Sequence, residues 1–226
     1  MRRTFLILLS VPAILLAIVL IDNRKSADMT IRQKILKTIY PFFFGMTRFA
    51  GAKKMSYGPE KKVDPPVSFH SLTCVMNNGE VLDMSTLKGK KVLLVNTASD
   101  CGYTPQYEAL QRLQDRQEGK LLVVGFPAND FKEQEKGSDQ EIAEFCKVNF
   151  GVKFPLAAKS SVVKGATQNN LFRWLSDSSM NGWNDRAPVW NFSKYLVDED
   201  GRLIGYFEPS VDPGGQEISE ALGLGN

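Results

Sequence analysis

Two side chains that carry much of enzyme chemistry are scarce in this sequence of 226 residues: it has one histidine, His70, and three cysteines, Cys74, Cys101 and Cys146. A Ser-His-Asp triad would have to be built on His70, which lies in an ordinary alternating segment. A four-ligand zinc site would need all four residues, and their spacings match no zinc pattern. Three cysteines do not make a disulfide-stapled scaffold either. Charge of one sign is equally thin. The 28 Lys and Arg against 25 Asp and Glu leave a net charge of +3, and the basic residues are not gathered into a nucleic-acid stripe. No internal repeat is visible, and the length allows one domain plus extensions.

What is present is organised around Lys91 to Leu113. Val92 to Val95 form an unbroken apolar run, which reads as a strand buried on both faces of an α/β sheet. From Gln106 the period changes: Tyr107, Leu110 and Leu113 recur at helical spacing. Pro105 suits a first helical turn, with Thr104 as its cap. Cys101 lies between strand and helix, where such sheets place their sites. It reads either as a small core residue or as a reactive thiol, because a nearby helix N-terminus stabilises thiolate. Its polar and small neighbours Asn96, Ser99, Asp100 and Gly102 predict an exposed turn.

At the N-terminus, Thr4 to Ile21 are almost wholly apolar and follow Arg2 and Arg3. A bilayer core of ~30 Å takes ~20 helical residues, so this run is at the lower edge of a span. Asp22-Asn23-Arg24-Lys25 follows at once, without a small-x-small cleavage site. Residues 1–25 are therefore expected to be an uncleaved single-pass transmembrane or signal-anchor helix with an exported domain behind it; secretion after signal cleavage is the alternative. Residues 26–66 are expected to be a basic amphipathic segment and linker. Ile31, Ile35, Leu36 and Ile39 form its apolar stripe, suited to a membrane surface or to packing on its own domain. The folded domain is expected over residues 67–226.

Within that domain, Val67 to Asp83 reads as a β-hairpin turning at Asn77-Asn78-Gly79-Glu80, with Cys74 a packing residue in its first strand. Leu121 to Phe126 is a second apolar strand, parallel to the first across the intervening helix. Pro127 to Gly137 is a loop. Ser138-Asp-Gln-Glu141 resembles a capping box and opens a helix to about Asn149, with Ile142, Phe145 and Cys146 on its apolar stripe. Phe154 to Leu156 is a short edge segment, and Thr167 to Leu175 a helix. Val189 to Val197 and Leu203 to Phe207 flank an Asp198–Gly201 hairpin turn. Pro213 to Leu222 is a last helix.

Three segments stand together: Val95-Asn-Thr-Ala-Ser-Asp-Cys101-Gly-Tyr-Thr-Pro-Gln-Tyr107, Gly125-Phe-Pro-Ala-Asn-Asp-Phe-Lys-Glu-Gln134-Glu-Lys-Gly-Ser138, and Trp190-Asn191-Phe-Ser-Lys-Tyr-Leu-Val197. Their order, spacing and wording closely resemble the glutathione peroxidase family, over about Val67 to Leu222. The resemblance implies an α/β, thioredoxin-like fold with a central mixed sheet flanked by helices. It implies a thiol peroxidase that reduces hydrogen peroxide and organic or lipid hydroperoxides. Cys101 matches the family's peroxidatic residue, and Gln134, Trp190 and Asn191 match the rest of its tetrad. The types suit the chemistry: a carboxamide or indole N–H donates to charge on sulfur and on the leaving oxygen without competing as a base. Cys146 matches the resolving cysteine of the thioredoxin-dependent members. The resemblance implies no cofactor, only thioredoxin or glutathione as reducing co-substrate.

Departures are informative. Ala128 stands where many members have cysteine, which leaves Cys146 as the resolving candidate. Asp100, Asp130, Lys132 and Lys136 replace a usual lysine, glutamine, glycine and proline. A carboxylate at Asp100 raises the thiol pKa if it faces Cys101. The short segment between Trp174 and Trp190 lacks the insertion of tetrameric, glutathione-using members, which points to a monomer and a thioredoxin-type reductant. A disulfide oxidoreductase is disfavoured, because Cys101-Gly-Tyr-Thr104 has no second thiol. The other alternative is a membrane-tethered peroxide sensor that passes a disulfide to a partner protein.

Overall fold

The computed structural model describes residues 29–49 and 56–224, and the chain divides into two units, residues 1–52 and 53–226. The expected anchor at residues 1–25 lies outside the described residues. Among the described residues no helix is long and apolar enough to cross a membrane. In the first unit, α1 (Ile31–Phe49) opens on a reciprocal cap: Thr30 N–H donates to Gln33 Oε1 (2.8 Å) and Gln33 N–H to Thr30 Oγ1 (3.2 Å). Ile31, Ile35 and Ile39 recur on one exposed side of it.

The second unit is built on a five-stranded mixed sheet of order β1-β7-β6-β4-β5. Its centre is β4 (Lys91–Thr97), every residue of which beyond Lys91 is buried. β5 (Leu121–Pro127) pairs parallel to it, from Lys91 opposite Leu121 to Thr97 opposite Pro127. On the other side β6 (Lys194–Val197) pairs antiparallel, followed by β7 (Leu203–Phe207) and the edge strand β1 (Ser56–Tyr57). The expected hairpin forms a separate two-stranded sheet, β2 (Thr73–Val75) with β3 (Val81–Asp83). Side chains alternate across the sheet. Val92, Leu94, Val124, Phe126, Tyr195 and Val197 join a core cluster with Cys74 and Met76 of the hairpin segment and Leu171, Phe172, Trp174 and Leu175 of α4 (Asn170–Leu175). Cys74 is thus a packing residue, its thiol pushed up to about 11 by burial.

The crossover from β4 to β5 runs through α2 (Gln106–Arg116), whose Tyr107, Leu110 and Leu113 are buried as their spacing predicts. The capping box is present at α3 (Asp139–Phe150): Glu141 N–H donates to Ser138 Oγ (3.3 Å), and Ser138 N–H to Glu141 Oε2 (2.8 Å). Gly151 ends that helix at φ 64°, a left-handed cap that glycine adopts without a Cβ penalty. The Phe154–Leu156 segment lies against β5, where Gly125 N–H donates to Pro155 O (3.0 Å). A Cβ on Gly125 would stand 2.6 Å from Leu156 Cδ2, so a larger residue there would make the Leu156 side chain shift. Two further helices, α5 (Ser178–Asn181) and α6 (Gln216–Ala221), are short.

Several boundaries differ from expectation. The domain begins before Val67, because Ser56 and Tyr57 pair with Phe207 and Tyr206. The Pro- and Gly-punctuated stretch behind them is held down by long-range pairs: Lys62 to Asp198 at 3.0 Å, Arg202 to Asp64 at 2.6 Å, and the Arg186 guanidinium 4.0 Å over the Tyr57 ring. These partners lie more than a hundred residues away in the chain, and no local pattern announces them. The strand expected from Val189 starts only at Lys194, because Phe192 takes φ 68°. α4 starts at Asn170, where Asn169 Oδ1 accepts from Leu171 N–H (2.9 Å).

Candidate active site

The site sits beyond the C-terminal ends of β4 and β5. Residues 98–105 leave β4 as a chain of turns: Thr104 N–H donates to Cys101 O (3.1 Å), Gln106 N–H to Tyr103 O (2.9 Å) and Tyr107 N–H to Thr104 O (3.1 Å). The cap of α2 is Pro105, not Thr104. The Thr104 hydroxyl braces the turn instead, accepting from Cys101 N–H (3.0 Å) and donating to Ala98 O (2.8 Å). A hydroxyl with both a donor and an acceptor within the loop is not free to cap the helix.

Cys101 stands in the expected turn, but its thiol is not exposed: the residue is 1 % accessible. The Trp190 and Asn191 side chains stand beside it, and both favour charge on the sulfur. Tyr103 N–H also points to Sγ, at 3.4 Å. One donor to the sulfur is therefore a turn amide that precedes α2. Burial pushes the Cys101 thiol above its ordinary value; Tyr103, Trp190 and Asn191 pull it back, and Asp100 adds the smallest upward push.

Asn191 is buried and donates from Nδ2 to Gln134 Oε1 at 3.0 Å. Gln134 enters the group through this bond, and its carbonyl accepts from Asp100 N–H (3.0 Å), tying the β5–α3 loop to the Cys101 turn. The loop before Gln134 is bent by two successive left-handed residues, Lys132 (φ 53°) and Glu133 (φ 51°). Trp190 is half-buried, with the Phe131 ring 5.6 Å from its own and Lys132 Nζ 5.6 Å from its centroid. Cys101, Gln134, Trp190 and Asn191, drawn from three distant segments, thus form one group.

Cys146 lies apart, fully buried on the inner face of α3. Burial pushes its thiol up to about 12; the Tyr107 side chain beside it offsets this in part, and the nearby Glu135 carboxylate raises it further. Tyr107 also packs on Phe150 (5.6 Å) and Phe192 (5.3 Å), joining α3 to the site turn. All three cysteines are free thiols. Among the described residues no cluster of three or more His, Cys, Asp or Glu side chains is arranged to hold a metal ion.

Two residues of this region, Glu135 and Lys194, were not singled out by sequence, and a third, Asn96, was read as part of an exposed turn but is buried in β4. Asn96, inside an apolar strand, donates to Trp190 O (3.1 Å) and accepts from Ser193 N–H (3.0 Å). Glu135 is 1 % exposed and pushed up to about 7 by burial, its carboxylate hydrogen-bonded by Ser99. Lys194 is fully buried. Each is a polar residue in an apolar run or beside a site residue, and that is the signal that could have found them.

Residues 69–176 match the family model described as glutathione peroxidase. A glutathione peroxidase homolog of Staphylococcus epidermidis is 42 % identical over 147 residues, covering 65 % of this chain and 92 % of that protein. The chain belongs to the glutathione peroxidase family. Its relatives in that family include glutathione peroxidase-like peroxiredoxin 2 of Saccharomyces cerevisiae, 39 % identical over 69 % of this chain and 97 % of the relative. The crystal structure of Trgpx in its apo form superposes with a TM-score of 0.53 at 31 % identity, over 70 % of this chain and 97 % of that one. A DsbF homologue from Corynebacterium diphtheriae, at 14 % identity and a TM-score of 0.55, shares the thioredoxin-like fold over 76 % of this chain and 94 % of its own. Like its family, the chain is a thiol peroxidase, an oxidoreductase with peroxide as acceptor.

Proposed function

We propose that Cys101 is the peroxidatic nucleophile, that Gln134, Trp190 and Asn191 are its charge-stabilising donors, and that Cys146 is the resolving thiol. The observation that carries this reading is the convergence on one buried sulfur of Tyr103 N–H and the Trp190 and Asn191 side chains, with Gln134 linked to Asn191 at 3.0 Å. The sulfur attacks one peroxide oxygen; an S–O bond forms, the O–O bond breaks, and Cys101 becomes a sulfenic acid. The proton that the thiol gives up as its sulfur attacks is the one the departing oxygen needs. Water or an alcohol leaves. Charge that builds on sulfur and on the departing oxygen meets donors already in place, in a site with little water to compete. The Oε1 of Gln134 is engaged by Asn191, which leaves its amide N–H groups for a peroxide oxygen.

Cys146 then attacks the sulfenic sulfur, forming the Cys101–Cys146 disulfide and releasing water. A disulfide needs Cα atoms within ~7 Å. Cys146 is held on a capped, packed helix, so α3 opens locally to deliver it. A thioredoxin-type dithiol, with glutathione as the alternative, then reduces the bond. Substrates are hydrogen peroxide and organic or lipid hydroperoxides, and the protein works as a monomer. Residues 1–25 anchor the chain to a membrane; retention of the full chain through an alkaline carbonate wash is the expected result, and release would remove this part of the reading.

The test is a steady-state assay of the full chain with hydrogen peroxide and cumene hydroperoxide, run with thioredoxin and then with glutathione. Turnover with thioredoxin is expected to exceed that with glutathione. Absence of turnover with either would overturn the enzymatic reading and leave the tethered sensor, which forms the same disulfide once and passes it to a partner.

A further inference from the structure

The peroxide chemistry leaves Lys194 unexplained. It opens β6 in the run Lys-Tyr-Leu-Val and has no exposed surface. Burying an amine in such a place costs free energy, and burial pushes its pKa down to about 7, with Asp212 opposing. A methionine of similar shape would avoid that cost. The amine is instead fully used: Nζ donates to Phe192 O at 2.9 Å and to Pro209 O at 3.2 Å. Neutral amine or ammonium, it has at least two N–H donors for two carbonyls.

The Phe192 carbonyl is one peptide beyond Asn191, and Phe192 is the residue at φ 68°. A left-handed backbone is unfavourable for a Cβ-bearing residue and persists only where its surroundings over-determine it. Here the turn is gripped from two strands. From β4, Asn96 donates to Trp190 O (3.1 Å), and its carbonyl accepts from Phe192 N–H (2.6 Å). From β6, Lys194 takes the Phe192 carbonyl. The Pro209 carbonyl that it also holds accepts from Gln106 Nε2 of α2 at 2.6 Å, so the grip is anchored in the helix that follows Cys101.

We propose that Lys194 is a positioning residue of the peroxidatic site: by holding the Phe192 carbonyl it fixes the left-handed turn that aims Trp190 and Asn191 at Cys101. This rests on the reading of those two side chains as donors to the sulfur. Without the hold, the turn relaxes toward extended backbone, the two side-chain donors retreat, and only Tyr103 N–H is left to offset the burial of the thiol. The signature is therefore double: a slower peroxide step and a higher Cys101 pKa.

Both quantities are read on the full chain in a Cys74→Ser, Cys146→Ser background, where Cys101 is the only thiol. The rate comes from stopped-flow oxidation by hydrogen peroxide, and the pKa from thiolate ultraviolet absorbance against pH. Lys194→Met is expected to slow oxidation ~10²-fold, the scale of a small misplacement at a reacting centre, and to raise the Cys101 pKa by about one unit. Lys194→Gln keeps an N–H₂ group one bond short and should recover part of both; if Lys194→Met fails to fold, this variant carries the test. Met84→Ala, a cavity in the core far along the chain, should lower Tm and move neither quantity. A wild-type rate and pKa in the Lys194 variants would overturn the proposal, as would equal slowing by Met84→Ala at equal loss of Tm. Trp190→Phe and Asn191→Ala separate the two ways of failing. Unchanged values there remove the donor reading itself. Altered values there beside an unaltered Lys194→Met remove only the role of Lys194.

Discussion

The chain buries two thiols near one another in function and surrounds them in opposite ways. Cys101 lies in a turn, with a backbone N–H at 3.4 Å and an indole and a carboxamide turned toward its sulfur. Cys146 lies on the inner face of a capped helix, beside one tyrosine side chain and faced by a carboxylate, and its thiol is pushed up to about 12. Burial is near complete at both. What separates them is the supply of donors. On the roles proposed above, donors lower the cost of negative charge at the attacking sulfur, and their scarcity leaves Cys146 unreactive while its helix stays packed.

The sharpest break in this comparison is Cys101→Ser, which should abolish peroxide reduction and leave the fold intact; appreciable turnover would reassign the nucleophile. Next comes Cys146→Ser. It should react once with peroxide at the wild-type rate, then stall as sulfenic acid with thioredoxin and over-oxidise with excess oxidant. In the wild type, amide exchange along α3 should lose protection on oxidation, since the packed helix must open to deliver Cys146. Normal thioredoxin turnover by Cys146→Ser, or a Cys101–Cys74 disulfide in the oxidised protein, would remove the resolving role. Removing donors from the first site should cost less than removing its sulfur. Gln134→Ala and Trp190→Phe are each expected to slow sulfenic acid formation by ~10²–10³, and unchanged kinetics in both would take them out of the site.

Glu135, which faces Cys146 and accepts from Ser99, gives a smaller effect with a definite sign. Its folded pKa of about 7 lies above the ordinary 4.5. Between these values the folded state holds a proton that the unfolded state has lost, so stability falls as pH rises through that window. Glu135→Gln removes this fall. Its stability relative to wild type should improve by about 3 kcal/mol between pH 4.5 and pH 7, and stay level above. Denaturant titrations at three pH values check this; a difference constant with pH would show that Glu135 is not a buried acid. The smallest effect concerns Asp100, the last of the causes acting on Cys101. Asp100→Asn should lower the Cys101 pKa by less than loss of the Trp190 donor raises it. A larger shift would mean that the carboxylate, rather than burial, sets the thiol.

The local pattern of the sequence by itself determined the central strand, the crossover helix and the parallel neighbour strand. An apolar run, a change of period at Gln106 and a second apolar run report contacts that repeat with the helix or the pleat. It also determined α3, because a capping box is a bond between residues three apart. The four site residues were legible only through their resemblance to a family, since nothing in the spacing of Cys101, Gln134 and Trp190 says that they meet. Tertiary structure alone decided the rest. It buried the Cys101 thiol under a turn from ninety residues downstream, spent the Thr104 hydroxyl inside the loop, joined Ser56 and Tyr57 to the sheet edge, and put a lysine amine in the core. Each of these depends on a partner far along the chain, where the entropy of closing a long loop is offset by contacts that no local period encodes. Hydrophobic periodicity tells a segment which face to bury; which polar group will meet it there is fixed only once the strands have paired.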